Sequence, residues 1–520
     1  MRVPIRIKKQ PRTQTVEVQS RSAPLGGWNA RDALADMNPH DAIVLNNWFP
    51  RTSYCEIRGG LSSHATGMTG IGKTLAAYSG IAGTSQFYCF TNSGVYDVSA
   101  PGAVGASKLA RTNGRHQVVM FGDGSSNWLI ATNGTDAPAY YDGTTWTAVT
   151  NATSPALTGI TTSDLISVNV FKGRLFFIQK SSLSFWYLAS GLAGGALTEF
   201  DLSGEAKRGG YLVGMATWTR DAGDGMDDVA VFMTSEGEAI LYQGTNPSSS
   251  ANWSKVGTFF IGKPLGRRCF AQYGGDVVVL TQNGAYLLSA ALQTAQIDTK
   301  FALSYKVENA FTEAARSYFS TFGWEATVLP MQSALLVNVP VVEDGEHQQY
   351  VMNTITKSWC KFTGWNVESF GVYNGQLYAV SGTTVYKAWD GTSDAGTAIV
   401  AYGKTAFSYF GAPVQQKRFT LYRPVLAVNG GLTYYTDLDV DYADDPDLSS
   451  SVYALTTAPT WDVSRWDEVY WASGLQIVKQ WTSPDEWTGF SAAGKLRVTT
   501  STLIVQWMSN DYVYEIGNVI

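Results

Sequence analysis

Gly67-Met68-Thr69-Gly70-Ile71-Gly72-Lys73-Thr74 satisfies the phosphate-loop pattern G-x-x-x-x-G-K-[ST]. In a working loop the main-chain N–H groups cradle phosphates, the lysine reaches the β- and γ-phosphates, and the hydroxyl holds a magnesium ion. Such a loop leaves a buried parallel strand and opens a helix of several turns. Here the preceding residues, Gly-Gly-Leu-Ser-Ser-His-Ala-Thr from Gly59 to Thr66, hold no apolar run. After Thr74 the helical potential ends at Ser79-Gly80, with Gly83 beyond. The nearest counterpart of a second acidic motif, Val118 to Asp123, is interrupted by Gly122. No α/β alternation follows. Gly67, Gly72, Lys73 and Thr74 therefore read as a Gly-rich turn into a β domain, and no nucleotide or other cofactor is expected.

The composition agrees. Charged residues make up 15% of 520, aromatic residues 13%, and glycine 52 positions. Few charges with many aromatics and glycines describe strands joined by tight turns, with surface reserved for partners. The net charge of −6 argues against a general nucleic-acid binder. Cys55, Cys89, Cys269 and Cys360 are too scattered for a zinc site or a disulfide framework and read as buried thiols. No apolar run reaches the ~18 residues of a membrane helix. The basic start, MRVPIRIKKQPRTQ, has no apolar segment behind it, so a secretory leader is not expected and synthesis in a cytoplasm is.

Working outward, strand–turn–strand units recur. Trp128 to Val149, Gly173 to Leu188, Val229 to Gly244, Asp276 to Ser289 and Gly375 to Gly391 each read as a hairpin. Tyr140-Tyr141-Asp142 before Trp146 parallels Tyr350 to Asn353 before Trp359, as if a Trp packed between repeated sheets. Radial repetition of this kind predicts an all-β chain with a β-propeller of six or seven blades, strands alone also suiting a sandwich. The last stretch, opening at Lys417 to Pro424, changes to longer strands. It predicts an additional β-sandwich or barrel, which the N-terminal segment can share. The expected organisation is a basic arm (1–24), an N-terminal segment (25–62), the propeller (63–395) and the C-terminal domain (396–520). In the segment 25–62, a short helical turn is expected around Asp41 to Asn46 and a strand over Tyr54 to Arg58.

Candidate sites are sparse. The run Asp437 to Asp447 would set Asp437, Asp439 and Asp441 on one strand face: a solvated face, a loose calcium site, or an acidic channel wall that keeps DNA from sticking. An EF-hand loop is excluded, because Tyr442 and Leu448 stand where Gly and Glu are needed. Asp221, Asp224, Asp227 and Asp228 could crown a propeller, but glycoside hydrolysis needs two carboxylates facing across a sugar. Asp142-Gly143-Thr144-Thr145-Trp146 is similar to the Asp-box turn of sialidases, one residue short, and such boxes are structural. His40, His64, His116 and His347 have no nucleophile pattern around them, so no catalytic or metal-ligating residue is expected. Arg2, Arg6, Lys8, Lys9 and Arg12 alternate with apolar residues, as in a tail or an arm that docks on an acidic neighbour.

Leu25-Gly26-Gly27-Trp28-Asn29-Ala30-Arg31-Asp32, Pro39 with Asp41-Ala42, Leu45 with Asn47-Trp48-Phe49-Pro50, and Arg58-Gly59-Gly60 resemble the start of tail nozzle (tubular tail hub) proteins of short-tailed bacteriophages. Lys417-Arg418-Phe419, Arg423-Pro424 and Asp511 to Gly517 resemble the end of such proteins. The resemblance implies a non-enzymatic virion protein, assembled as a six-copy ring beneath the portal and adaptor. It would carry the double-stranded DNA exit channel and dock tail fibres or spikes. The competing expectation is a carbohydrate-binding or glycan-degrading propeller.

Overall fold

The computed structural model describes residues 16–81, 83–221, 226–293, 299–446, 448–453, 475–483 and 487–519. Arg2, Arg6, Lys8, Lys9 and Arg12 lie outside them. The chain is all-β apart from short helices and divides into two compact bodies, 58–399 and 1–57 with 400–520.

The larger body is a propeller. Four four-stranded antiparallel sheets and one three-stranded sheet follow one another, beginning at the strands Gly72–Ser79, Gln117–Gly122, Leu165–Phe171, Leu212–Asp221 and Phe270–Tyr273. Five blades stand alone, against the six or seven expected. Two further sets, Glu325–Thr363 and Ser369–Ala388, continue the pattern in sequence but belong to one larger sheet. In the second of these, Asp394 pairs with Leu61 and Ser393 with Ala398, so hydrogen bonding runs on past a fourth strand.

Alternation explains the packing. On the strand Gly72–Ser79, Leu75 joins a core with Phe87, Tyr378 and Val380, while Ala76 and Tyr78 join one with Leu129, Tyr141 and Trp146. Successive side chains thus fill the spaces on either side of the first blade. The expected inter-sheet Trp is Trp146, whose ring stands 5.0 Å from Tyr88 of that blade. All five hairpins read from the sequence are present.

Three local expectations are corrected. Gly59 to Thr66 does contain a strand: Leu61–Thr66 pairs antiparallel with Thr384–Ala388, so residues from the start of this body complete its last set. Its polar Ser62 and Ser63 hid it. Asp41–Asn46 is a strand paired to Tyr402 through Thr405 rather than a helical turn, with the registers Ala42↔Thr405 and Asn46↔Tyr402. Pairing with a distant segment overrides local helical preference. The helix Glu308–Tyr318 was not expected, although Phe311, Ala314 and Ala315 give it one buried stripe.

In the smaller body, the strand Gln415–Val428 pairs along the terminal strand Val505–Val519, with Phe419↔Tyr514 and Arg423↔Asp511 in register. The strand Val16–Ser22 pairs on the other side of the terminal strand. Trp48–Pro50 joins the same sheet through Cys55–Ile57, and the Trp48 and Trp507 rings stand 5.6 Å apart.

Closure of the larger body depends on Gly60, whose missing Cβ would lie 2.0 Å from the Ser393 carbonyl oxygen. Gly60→Val should lower the unfolding free energy by about 1–3 kcal/mol, as overpacking does. Gly105→Ala, with nothing within 4 Å, should leave it unchanged. Denaturant melts of the two variants check this.

Candidate functional site

The first strands of the five blades and of the two further sets line a cavity of about 330 Å³. Lys73 and Thr74, the end of the phosphate-loop pattern, sit on the first of these strands, with no helix after them. Gly72 is required for packing: a Cβ there would lie 2.2 Å from Val380 Cγ2. Gly67 and Gly70 turn the chain at φ +83° and +80°.

Lys73 is about 1% exposed, and carboxylates surround its ammonium. Glu368 Oε2 is 3.1 Å away and Glu343 Oε1 3.6 Å, and Asp344 also pairs with it. Burial pushes the Glu368 carboxyl above its ordinary value, against the pull of Lys73. Thr74 Oγ1 donates to the Gly114 carbonyl at 2.6 Å and accepts from Arg268 Nη2 at 2.6 Å. Arg268 also donates to the carbonyl of Lys73 at 2.9 Å and pairs with Glu325 at 3.4 Å. Burial raises Glu325 too, with Arg268 opposing. Both positions that would serve a nucleotide are therefore occupied by protein partners.

Chemistry is limited accordingly. Glu325 is the one carboxylate lining the cavity among the described residues, and Arg268 holds it. A facing acid pair for glycoside hydrolysis is not assembled there. Of Asp221, Asp224, Asp227 and Asp228, the described side chain is that of Asp228, which pairs with Lys172 at 2.6 Å. Asp142 Oδ1 accepts from the amides of Thr144 and Thr145, a structural turn.

The histidines are dispersed. His40 bonds Ser22 Oγ at 3.0 Å, and His64 Nε2 lies 3.0 Å from the Val98 carbonyl. His347 Nε2 stands 3.9 Å from Glu368. Burial holds His116 down at about 3, and its Nε2 faces the Asn133 amide at 3.3 Å. All four cysteines are buried, and none forms a disulfide.

In the smaller body the three singled-out acids part company. Asp439 is enclosed, with Lys404 and Lys495 each at 2.6 Å. Asp437 shares Lys495 at 3.6 Å, and burial raises its carboxyl. Asp441 lies past the strand at φ 48°, accepting from the Phe490 amide at 2.7 Å. A uniform acidic face over these three residues is therefore corrected: two lysines from other strands neutralise Asp439. Among the described residues, the exposed acids of the run are Asp441, Asp444 and Asp445.

No family model matches the chain, and no curated protein does. Solved structures resemble it weakly. The extracellular domain of a putative hybrid two-component system from B. thetaiotaomicron matches with TM-score 0.40 and 10% identity over 65% of this chain and 45% of its own. This chain thus spans under half of that protein. YCF48 from Cyanidioschyzon merolae matches at 0.34 and 9%, over 65% of this chain and 99% of its own. A putative 6-phosphogluconolactonase from Bacteroides fragilis matches at 0.33 and 11%, over 65% and 92%. Likeness at this level transfers no activity.

His116 makes a pH prediction. Its folded value, about 3, lies below the ordinary 6.5, so the unfolded chain takes the proton first. Stability contributed by the neutral ring is present above 6.5 and lost as pH falls towards 3. His116→Gln should flatten that acid limb by up to about 1.4 kcal/mol per pH unit in unfolding measurements between these values.

Proposed function

We propose that the protein is a structural tail component of a short-tailed phage, a nozzle or hub subunit that assembles into a ring around the path of exiting DNA. One observation carries the reading. Parts of the tail-like segments from opposite ends of the chain meet in one sheet, where Trp48–Pro50, through Cys55–Ile57, and Gln415–Val428 both join the terminal strand. Lys417, Arg418 and Phe419 pair with Ile516, Glu515 and Tyr514. Arg423 bridges Asp511 at 2.7 Å, and Trp48 meets Trp507.

The cavity supports a non-enzymatic role, since Glu325, the one carboxylate among its described lining residues, is held by Arg268. On this reading six copies form the ring, with an adaptor above and tail fibres or spikes docked outside. Duplex DNA would pass through without sequence-specific binding. The acids that would face it are Asp441, Asp444 and Asp445, and the N-terminal arm (Arg2, Arg6, Lys8, Lys9, Arg12) would meet the adaptor or a neighbouring copy. Assembly would take place in the bacterial cytoplasm and function in the virion tail.

Negative-stain imaging of the purified full chain, alone and with its adaptor, tests this. Hollow rings of several copies are expected; a monomer under both conditions would sink the proposal.

A further inference from the structure

At the edge of the propeller cavity a second cavity, of about 260 Å³, has an unusual lining. Four cations border it, Arg115, Lys180, Arg267 and Arg268, and no carboxylate does among the described residues. That is a local excess of positive charge in a chain of net charge −6. Arg115 and Arg268 have acidic partners behind the wall, Glu343 and Glu325. Lys180 and Arg267 have none among the described residues. Their bonds go to main-chain carbonyls, Lys180 to Gly134 at 3.5 Å and Arg267 to Asn133 at 3.1 Å. Lys180 and Arg267 both remain exposed to solvent at the rim. Two of the four cations, Lys180 and Arg267, are thus left without an acidic partner among the described residues, and an incoming anion would supply one.

The rest of the lining narrows the ligand. Phe322 lies beneath Arg115 at 4.6 Å and Arg268 at 5.1 Å, which fixes both guanidinium groups over one ring. Phe319, 39% exposed, offers a second apolar face. Asn113, Gln117, Ser320 and Thr321 supply amide and hydroxyl groups around the same space. A bare ion would leave most of the volume to water, at roughly 30 Å³ per molecule. The volume sits at the lower end of small-molecule pockets, which run from about 300 Å³ upward, and suits one small ring better than an oligomer. One hydroxylated ring with an anionic group fits both volume and chemistry.

We propose that this cavity binds a single sugar unit bearing a carboxylate or phosphate, held by Lys180 and Arg267 with its ring against Phe319. The inference stands on the propeller alone and does not depend on the tail reading.

Calorimetric titration of the full chain with glucose 6-phosphate, glucuronic acid, inorganic phosphate and glucose tests it. Both sugar anions should bind, glucose should not, and inorganic phosphate should bind at least tenfold more weakly than glucose 6-phosphate. The double variant Lys180→Ala/Arg267→Ala should weaken the sugar anions at least tenfold. Lys108→Ala, an exposed cation elsewhere, should leave them unchanged. The proposal is overturned if neither sugar anion binds, if glucose or phosphate binds as well as glucose 6-phosphate, or if the double variant retains full affinity. Tighter capture of a single-stranded oligonucleotide than of either sugar anion would also overturn it.

Discussion

The buried ammonium of Lys73 is the constraint around which the propeller is arranged. It stands on the first strand of the first blade, and its partners Glu343, Asp344 and Glu368 come from the last two sets of strands. The interaction therefore joins the beginning of the ring to its end. An unpaired ammonium at this depth would cost several kcal/mol, so the ring gains from closing with the carboxylates in place. Arg268 extends the same tie, linking Thr74 and the carbonyl of His116 to Glu325. Closure by Leu61–Thr66 on Thr384–Ala388 adds main-chain hydrogen bonds to this charge pairing.

Committing charges to one another has a chemical consequence. Among the described lining residues the one carboxylate, Glu325, is held by Arg268, which leaves that group little freedom for proton transfer. What remains available lies at the edge, where Lys180 and Arg267 bond only carbonyl oxygens. The smaller body follows the same economy. Lys404 and Lys495 enclose Asp439, and burial of Lys404 is outweighed by its bonds to Asp439 and Asp444, so its ammonium is held above the ordinary value.

How much of this was legible follows from the range of the interactions. Hairpins such as Asn127–Thr132 with Ala139–Tyr141 are local, and alternation with a turn residue reveals them. The phosphate-loop pattern could be rejected locally as well, because no long helix follows Thr74. The partners of Lys73 lie some 270 to 295 positions away and leave no trace near it. Leu61–Thr66 and Asp41–Asn46 are strands because of distant pairing, and read alone their residues are polar or helix-like. Asp439 has the same lesson: period-two spacing placed it on a face with Asp437, but only the fold brings two lysines onto that face. The blade count was over-read because hairpins 325–363 and 369–388 look like blades in sequence, whereas hydrogen bonding carries them into a larger sheet.

The most direct test of the Lys73 tie is a double-mutant cycle. Unfolding free energies of the parent, Lys73→Met, Glu368→Gln and the double variant give the coupling between the two side chains. The buried, closing interaction described here predicts a coupling of about 2–3 kcal/mol, with the double variant more stable than Lys73→Met alone. A coupling within about 0.5 kcal/mol of zero would contradict it.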